Sequence, residues 1–256
     1  MIARWRQAGL IPVTLVAFAV LAVLVGLGTW QLQRRTWKQE LLATISQRLA
    51  TAPVDREAWQ KRACRDPAVV GLAASCEYLA VRLSGTYAHD RERRVYTIVA
   101  RVNGIGGVGY WIMTPFKLTN SGETIYVSRG FVPEEGKAAN ARKAGQIEGE
   151  TVITGLVRSA EPRGIFTGTN NAAANIYYLR RPSEFADPQV AGDAAGSFVD
   201  LLAPTPPGGL PRPTAGAVDI PNRHLEYALT WYGLALTLVG VFLAFAISRL
   251  REPRSA

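Results

Sequence analysis

Two runs of the chain carry no charge, and most of what lies between them alternates. From Gly9 to Trp30 the sequence reads GLIPVTLVAFAVLAVLVGLGTW, and from Tyr227 to Ile247 it reads YALTWYGLALTLVGVFLAFAI. Each run is about 20 residues, the length that crosses roughly 30 Å of hydrocarbon. A backbone in lipid must satisfy its own hydrogen bonds, so both are expected to be helices. The first also resembles a cleaved signal peptide, with Arg4 and Arg6 before it and Gly26-Leu27-Gly28 as a small-x-small site. Its apolar run exceeds the usual signal core, which favours a retained span. The second would otherwise be a buried core helix.

Trp30 to Ala50 holds good helix formers and neither Gly nor Pro, so the first helix is expected to continue past the span over 31–50. Residues 51–77 look irregular, broken by Pro53 and Pro67. The period then changes to two: Val81, Leu83, Gly85 and Tyr87 alternate with Arg82, Ser84 and Thr86. Further strands are expected at Val95–Arg101, Gly109–Leu118, Glu123–Val132 and Thr151–Arg158. Shorter ones are expected at Ile176–Arg180, Ser197–Leu202 and Ala217–Ile220. Pro115 suggests an edge or a bulge in its strand. Thr119-Asn120-Ser121-Gly122 reads as a hairpin loop. Brief helices are expected at Glu134–Lys143 and Ser183–Val190, and 203–216 (APTPPGGLPRPTAG) as a connector too poor in apolar residues to pack.

The expected fold class is therefore a membrane α+β protein. Two transmembrane helices flank one extracytoplasmic, mainly antiparallel β domain, barrel-like or a sandwich. The divisions are a tail at 1–8, the first span at 9–30, the β domain at 31–226, the second span at 227–247 and a tail at 248–256.

Composition and charge sharpen this. The chain has 256 residues, 48% hydrophobic and 19% charged, with a formal charge of +9. A disordered, highly charged protein and a polytopic transporter are both excluded. The two short tails hold five of the 29 basic residues and one of the 20 acidic ones, which leaves the middle at +5. That is a mildly basic solvated surface rather than a nucleic-acid stripe, so no nucleic-acid partner is expected. Positive tails stay in the cytoplasm, which places the middle outside and membrane lipid around the spans. Arg34, Arg35 and Lys38 oppose that orientation, but long loops translocate regardless of charge. With about eight residues before the first span, a mitochondrial leader finds no room, so a bacterial inner membrane with a periplasmic domain is expected.

Catalytic signatures are sparse. Gly104-Ile105-Gly106-Gly107-Val108-Gly109 matches G-x-G-x-x-G, but a strand follows where a dinucleotide site needs a helix, so it reads as a hairpin loop. Cys64 and Cys76 suit a local disulfide on an oxidising side of the membrane, with two separate thiols as the alternative. His89, in Tyr87-Ala88-His89-Asp90-Arg91, reads as a solvated turn histidine. No nucleophile-and-base set is visible, so an enzyme is not expected.

His224 is more informative. It stands three residues before the second span, and Asn222 is a plausible N-cap. At helical spacing His224, Tyr227, Ala228 and Trp231 share a face. That face presents an imidazole above two aromatic rings, a surface that could ligate a flat macrocycle through its metal. The alternative is an interfacial histidine bonded to a carbonyl or a lipid headgroup.

At these residues the chain resembles the surfeit locus 1 family, assembly proteins of haem–copper cytochrome c oxidase. Gly28-Thr29-Trp30-Gln31-Leu32-Gln33-Arg34 with Lys38 looks like its G-x-W-Q-x-x-R-x-x-x-K signature. Gly109-Tyr110-Trp111 with Thr114-Pro115 and Val127-Ser128-Arg129-Gly130-Phe131-Val132-Pro133 resemble two of its strands. Glu161-Pro162 with Phe166 and Asn170 resembles a loop, and Asn222-x-His224-Leu225-x-Tyr227-Ala228-x-Thr230-Trp231 its N-x-H-L-x-Y-A-x-T-W motif. The order is the family's, over nearly the whole chain. Arg223 departs from it, where a second Asn is common.

The resemblance implies an assembly factor that holds haem a and aids its delivery to oxidase subunit I, receiving it from the haem a biosynthesis enzymes. It implies His224 as axial ligand, with Tyr227 and Trp231 packing. Arg129 would pair with a haem propionate or a partner carboxylate, or else form an internal salt bridge. Trp30, Gln31 and Arg34 would line the site or anchor the helix at the headgroups. The competing reading is a scaffold that stabilises a nascent oxidase subunit without touching a cofactor, and a weaker third is an extracytoplasmic hydrolase.

Overall fold

From Leu10 to Ala50 the chain has one proline, Pro12, and it falls in the first turn, where a missing N–H costs nothing. The result is a single 41-residue helix, α1 (Leu10–Ala50). A short helix, α2 (Arg56–Gln60), follows, capped by Asp55 accepting from the Ala58 N–H. The last helix is α3 (His224–Arg251). These come from a computed structural model that describes residues 5, 9–62, 75–102, 105–186, 196–213 and 222–251.

The chain divides into two units, Met1–Ala43 with Asp219–Ala256, and Thr44–Val218. The first is helical. Both long helices are long and apolar enough to cross a membrane. The shielded positions of α1 recur at three-and-four spacing (Thr14, Ala17, Leu21, Leu24, Gly28, Gln31). Those of α3 do likewise (His224, Ala228, Trp231, Ala235, Leu238, Phe242). This is the heptad seam of two packed helices. They run antiparallel, since Trp5 meets Phe242, Gly28 meets Tyr232 and Gln31 meets His224. Off the seam, Leu15, Phe18 and Leu236 are exposed, as suits a hydrocarbon surround. The division also assigns 31–43 to this helical unit rather than to the β domain, because α1 does not break at the end of its apolar run.

The second unit is built on seven strands: β1 (Ala80–Tyr87), β2 (Arg93–Val102), β3 (Ile105–Leu118), β4 (Thr124–Pro133), β5 (Glu150–Ser159), β6 (Ile176–Tyr177) and β7 (Ser197–Ala203). The order is β1-β5-β7-β4-β3-β2-β6, and β1 also pairs with β3. That extra pairing closes β1, β5, β7, β4 and β3 into a five-stranded barrel, leaving β2 and β6 as a flap on β3. Strand β3 is long enough to serve two neighbours: residues up to Met113 pair with β2, and Phe116–Leu118 pair with β1. Pro115 stands at the handover, where its missing N–H costs little. Two of the pairings, β4 with β7 and β2 with β6, are parallel.

Leu83, Phe116, Val127, Ile153 and Val199 fill the barrel, and Trp59 of α2 packs with Val54 against the same core. Two further cores lie elsewhere on the sheet. One holds Val95, Met113, Tyr126, Tyr177, Phe185 and Phe198. The other holds Tyr110, Ile112 and Val132, with Leu210 packed against it. Strand β4 is thus buried on both faces, so its sequence lacks the alternation of a half-solvated strand.

Several expectations change. Residues 51–77 contain α2. The helix expected at Glu134–Lys143 is two 3-10 turns, Glu134–Gly136 and Ala139–Gly145. That expected at Ser183–Val190 begins with the 3-10 turn Pro182–Glu184, and 187–190 lie outside the described residues. The strand at 176–180 ends at Tyr177. In the glycine-rich run, Ile105 to Gly109 belong to β3 rather than to a loop. The strand expected at Ala217–Ile220 lies outside the described residues. The 203–216 connector does pack over its described part. Pro206 and Pro211 are buried, and Arg212 exchanges two backbone bonds with Phe131, at 2.8 and 2.9 Å. Backbone pairing substitutes there for the apolar side chains the segment lacks. Cys76 is buried and disulfide-bonded, while Cys64 lies outside the described residues.

Candidate functional site

The end of the helix pair brings Gln31 and His224 together. Gln31 sits one residue past the apolar run of α1, and His224 is the first residue of α3. Imidazole Nδ1 and Gln31 Oε1 are 2.7 Å apart. An amide oxygen can only accept, so Nδ1 carries the proton and the ring is bonded on that side. No described group bonds Nε2. The ring is half-buried.

One turn deeper the helices touch. A Cβ at Gly28 would lie 2.8 Å from the Tyr232 ring, so only glycine permits this approach. The Thr29 hydroxyl donates to Val25 O at 2.9 Å and lies 3.1 Å from the Tyr232 hydroxyl, which donates to it. This small-residue notch with a polar clasp is a common way to hold membrane helices.

The other residues singled out around His224 are placed differently. Trp231 lies on the seam, half-buried, seven residues beyond His224. Tyr227 does not share that face, being 55% exposed, because three residues turn a helix by 300° and carry it off the seam. Trp30 is 54% exposed, and Arg34 stacks its guanidinium 3.9 Å from the Trp37 ring centroid. Of Trp30, Gln31 and Arg34, Gln31 is the one bonded to His224. Asn222 makes no cap: its Oδ1 bonds no described group, since the helix starts at His224 and the capping position is Arg223. Arg223 turns aside to Glu226, at 2.8 Å.

Arg129 belongs to the other unit, and nothing of it reaches solvent. Between Ser128 and Phe131, β4 takes three steps while β3 takes two, so Arg129-Gly130 forms a bulge. Gly130 has φ +127°, and the Arg212 carbonyl occupies the place of its missing Cβ. The bulge aims the guanidinium over the Tyr87 ring, 4.9 Å from its centroid. Nη1 donates to His89 Nδ1 at 3.2 Å and to Gln146 Oε1 at 3.3 Å, and Nη2 donates to the Gly145 carbonyl. These partners are uncharged, so the internal salt bridge does not form among the described residues. Burial lowers the pKa of Arg129 below its ordinary value and pushes the Tyr87 phenol up to about 12. Beside this cluster, buried Arg142 pairs with Glu92.

His89 is not the solvated turn residue its sequence suggests. It stacks on Tyr87 at 5.3 Å, and its Nε2 donates to the Ile147 carbonyl at 2.8 Å. Sequence reasoning missed it because its partners lie 40 and 58 residues away. Alternation in β1 and a charge at Arg129 were the available signals, and neither names a partner.

The motif loop is similarly tied down. Arg163 forks onto Glu184 at 3.3 and 2.8 Å, and Asn170 donates to the same carboxylate at 2.6 Å. Glu161 holds Arg180, which also reaches Asp200 at 3.1 Å. Phe166 is 94% exposed.

Comparison with known proteins gives one answer. The SURF1 family model matches residues 18–236. Surfeit locus protein 1 of Homo sapiens is 37% identical over 240 residues, covering 88% of this chain and 72% of that protein. A SURF1-like protein of Monosiga brevicollis is 36% identical over 228 residues, covering 86% and 82%. Surfeit locus protein 1 of Takifugu rubripes is 32% identical over 244 residues, covering 90% and 95%. The matched region runs from within α1 through the barrel to past Trp231. Two apolar helices flanking a sheet domain in the sequence, and a family match over residues 18–236 that spans most of the chain, make this membrane protein a member of the SURF1 family.

Proposed function

We propose that this protein is an assembly factor of haem–copper cytochrome c oxidase that holds haem a at His224 and aids its delivery to subunit I. Family membership supports the role in oxidase assembly. The haem step rests on one observation: a half-buried imidazole at the end of the helix pair whose Nε2 is engaged by no described residue.

The residues present fit such a ligand. In its neutral form a ring that donates from Nδ1 keeps its second nitrogen for a metal. His224 Nε2 would hold bound haem through its iron, and the iron would supply the Lewis acid that this nitrogen ligates. Trp231, half-buried on the same helix, offers apolar contact, and exposed Tyr227 and Trp30 offer ring surface at the membrane boundary. Arg129 spends both Nη1 hydrogens and one Nη2 hydrogen inside the barrel, while its buried Nε bonds no described group, which leaves a donor for the propionate or partner carboxylate that the family resemblance implies. The basic tails support a periplasmic barrel and a bacterial inner membrane. The haem a biosynthesis enzymes would be the source of the haem, and subunit I its destination.

The experiment is to purify the full chain from cells that also make haem a and to record visible spectra. A stoichiometric haem signal is expected, lost in His224→Ala. Unchanged haem in that variant removes His224 as ligand. No haem in the parent chain leaves the second reading, a cofactor-free scaffold for a nascent oxidase subunit, which the same membrane anchorage and barrel would serve.

A further inference from the structure

We infer that Gln31 is the positioning residue that makes His224 a releasable ligand, by holding its proton on Nδ1 and leaving the lone pair on Nε2. The inference deepens the haem reading and rests on it. A neutral imidazole has one N–H and one lone pair, and its surroundings choose which nitrogen carries which. At His224 the choice is made by one contact, 2.7 Å from Nδ1 to an amide oxygen that cannot donate. Both partners stand on helices packed at Gly28 and clasped by Thr29 and Tyr232, so the contact is held by the backbone rather than by a loop. The adjacent cation in sequence, Arg223, is paired with Glu226.

The chemical nature of Gln31 matters as much as its place. Metal-bound histidines usually donate their second N–H to a carboxylate, a carbonyl or a water, and the stronger acceptor makes the stronger ligand. A carboxylate here would give the imidazole more anionic character and a tighter hold on iron. A neutral amide fixes ring and tautomer with less of that gain. A protein that must pass its haem on is served by a ligand that is oriented but not strengthened.

The test uses the full chain in detergent micelles with nitrogen-15-labelled histidine. The chain has only two histidines, so His224→Ala identifies the His224 signals. The parent should show His224 protonated on Nδ1 and bare on Nε2. Gln31→Leu should lose that preference, and Gln31→Glu should keep it. An unchanged tautomer in Gln31→Leu, or a parent protonated on Nε2, overturns the proposal. A haem titration then reads the ligand strength. Gln31→Leu should bind about 10- to 100-fold more weakly. Gln31→Glu should bind more tightly, with a lower midpoint potential and slower release to an acceptor such as apomyoglobin. Equal affinity and potential in all three forms also overturn it. If the parent binds no haem, or His224→Ala binds as well, the haem reading fails, and the tautomer measurement still decides whether Gln31 sets the ring.

Discussion

Arg129 donates from Nη1 to His89 Nδ1 across 3.2 Å, and this bond can form only while the histidine is neutral. The ring's other nitrogen donates to the Ile147 carbonyl, so the tautomer here is the reverse of that at His224. Burial, with the Arg129 charge beside it, holds the His89 pKa below its usual 6.5, although the Ile147 bond pulls upward. The folded state therefore binds fewer protons than the unfolded one around that pH. The stability this contributes is complete above the unfolded value of about 6.5 and is lost as the pH falls from there through the lower folded value. The melting temperature of the parent chain should drop between pH 7.5 and 5.5, and the slope should flatten in His89→Gln. Equal slopes would show that His89 is not the group responsible.

Removing the guanidinium should cost more than removing the imidazole. Arg129→Met leaves the Gly145 carbonyl, the Gln146 amide oxygen and His89 Nδ1 without their donor inside the protein. Orphaned buried acceptors cost about 1–3 kcal/mol each and share some of that penalty, so a loss of at least about 3 kcal/mol is expected. Arg129→Lys should recover little, because an ammonium lacks the planar fork that serves three acceptors. Urea denaturation in micelles, followed by tryptophan fluorescence, measures both. A loss under about 1 kcal/mol would mean that the cluster tolerates the vacancy.

The helix pair makes a separate prediction through Gly28. A Cβ there meets the Tyr232 ring at 2.8 Å, so Gly28→Leu should force the helices apart at a cost of about 1–3 kcal/mol. Tyr232→Ala in the same chain should relieve most of it. Tyr232→Phe, which deletes the bond to Thr29, should cost about 0.6 kcal/mol. Unfolding by dodecyl sulfate in mixed micelles ranks the variants. Failure of Tyr232→Ala to rescue Gly28→Leu would break the assigned contact.

Cys76 is buried and disulfide-bonded, and the chain's other cysteine is Cys64. Non-reducing peptide mapping should return a Cys64–Cys76 link. Reduction should lower stability by about 2–4 kcal/mol. Quantitative alkylation without a reductant would show both thiols free.

The helical spans and most of the strands were legible because they depend on local pattern. Some twenty uncharged residues can satisfy their backbone only as helix in lipid, and alternation in Val81–Tyr87 needs only one buried face. His224 was visible too, from its motif and its place beside a span. Its neighbourhood was not. Periodicity put Tyr227 on its face, yet the seam chose Gln31, 193 residues away in sequence. The same limit applies in the barrel. Nothing local says that β3 leaves β2 for β1 after Met113, and that change of partner closes the sheet. Nothing local says that a bulge at Arg129-Gly130 buries a charge against Tyr87 and His89, or that Arg212 pairs with the backbone of Phe131. Local pattern decides which face of a segment avoids water. Only the closed structure decides which distant group meets that face, because a hydrogen bond or a close ring contact depends on distances that packing alone sets.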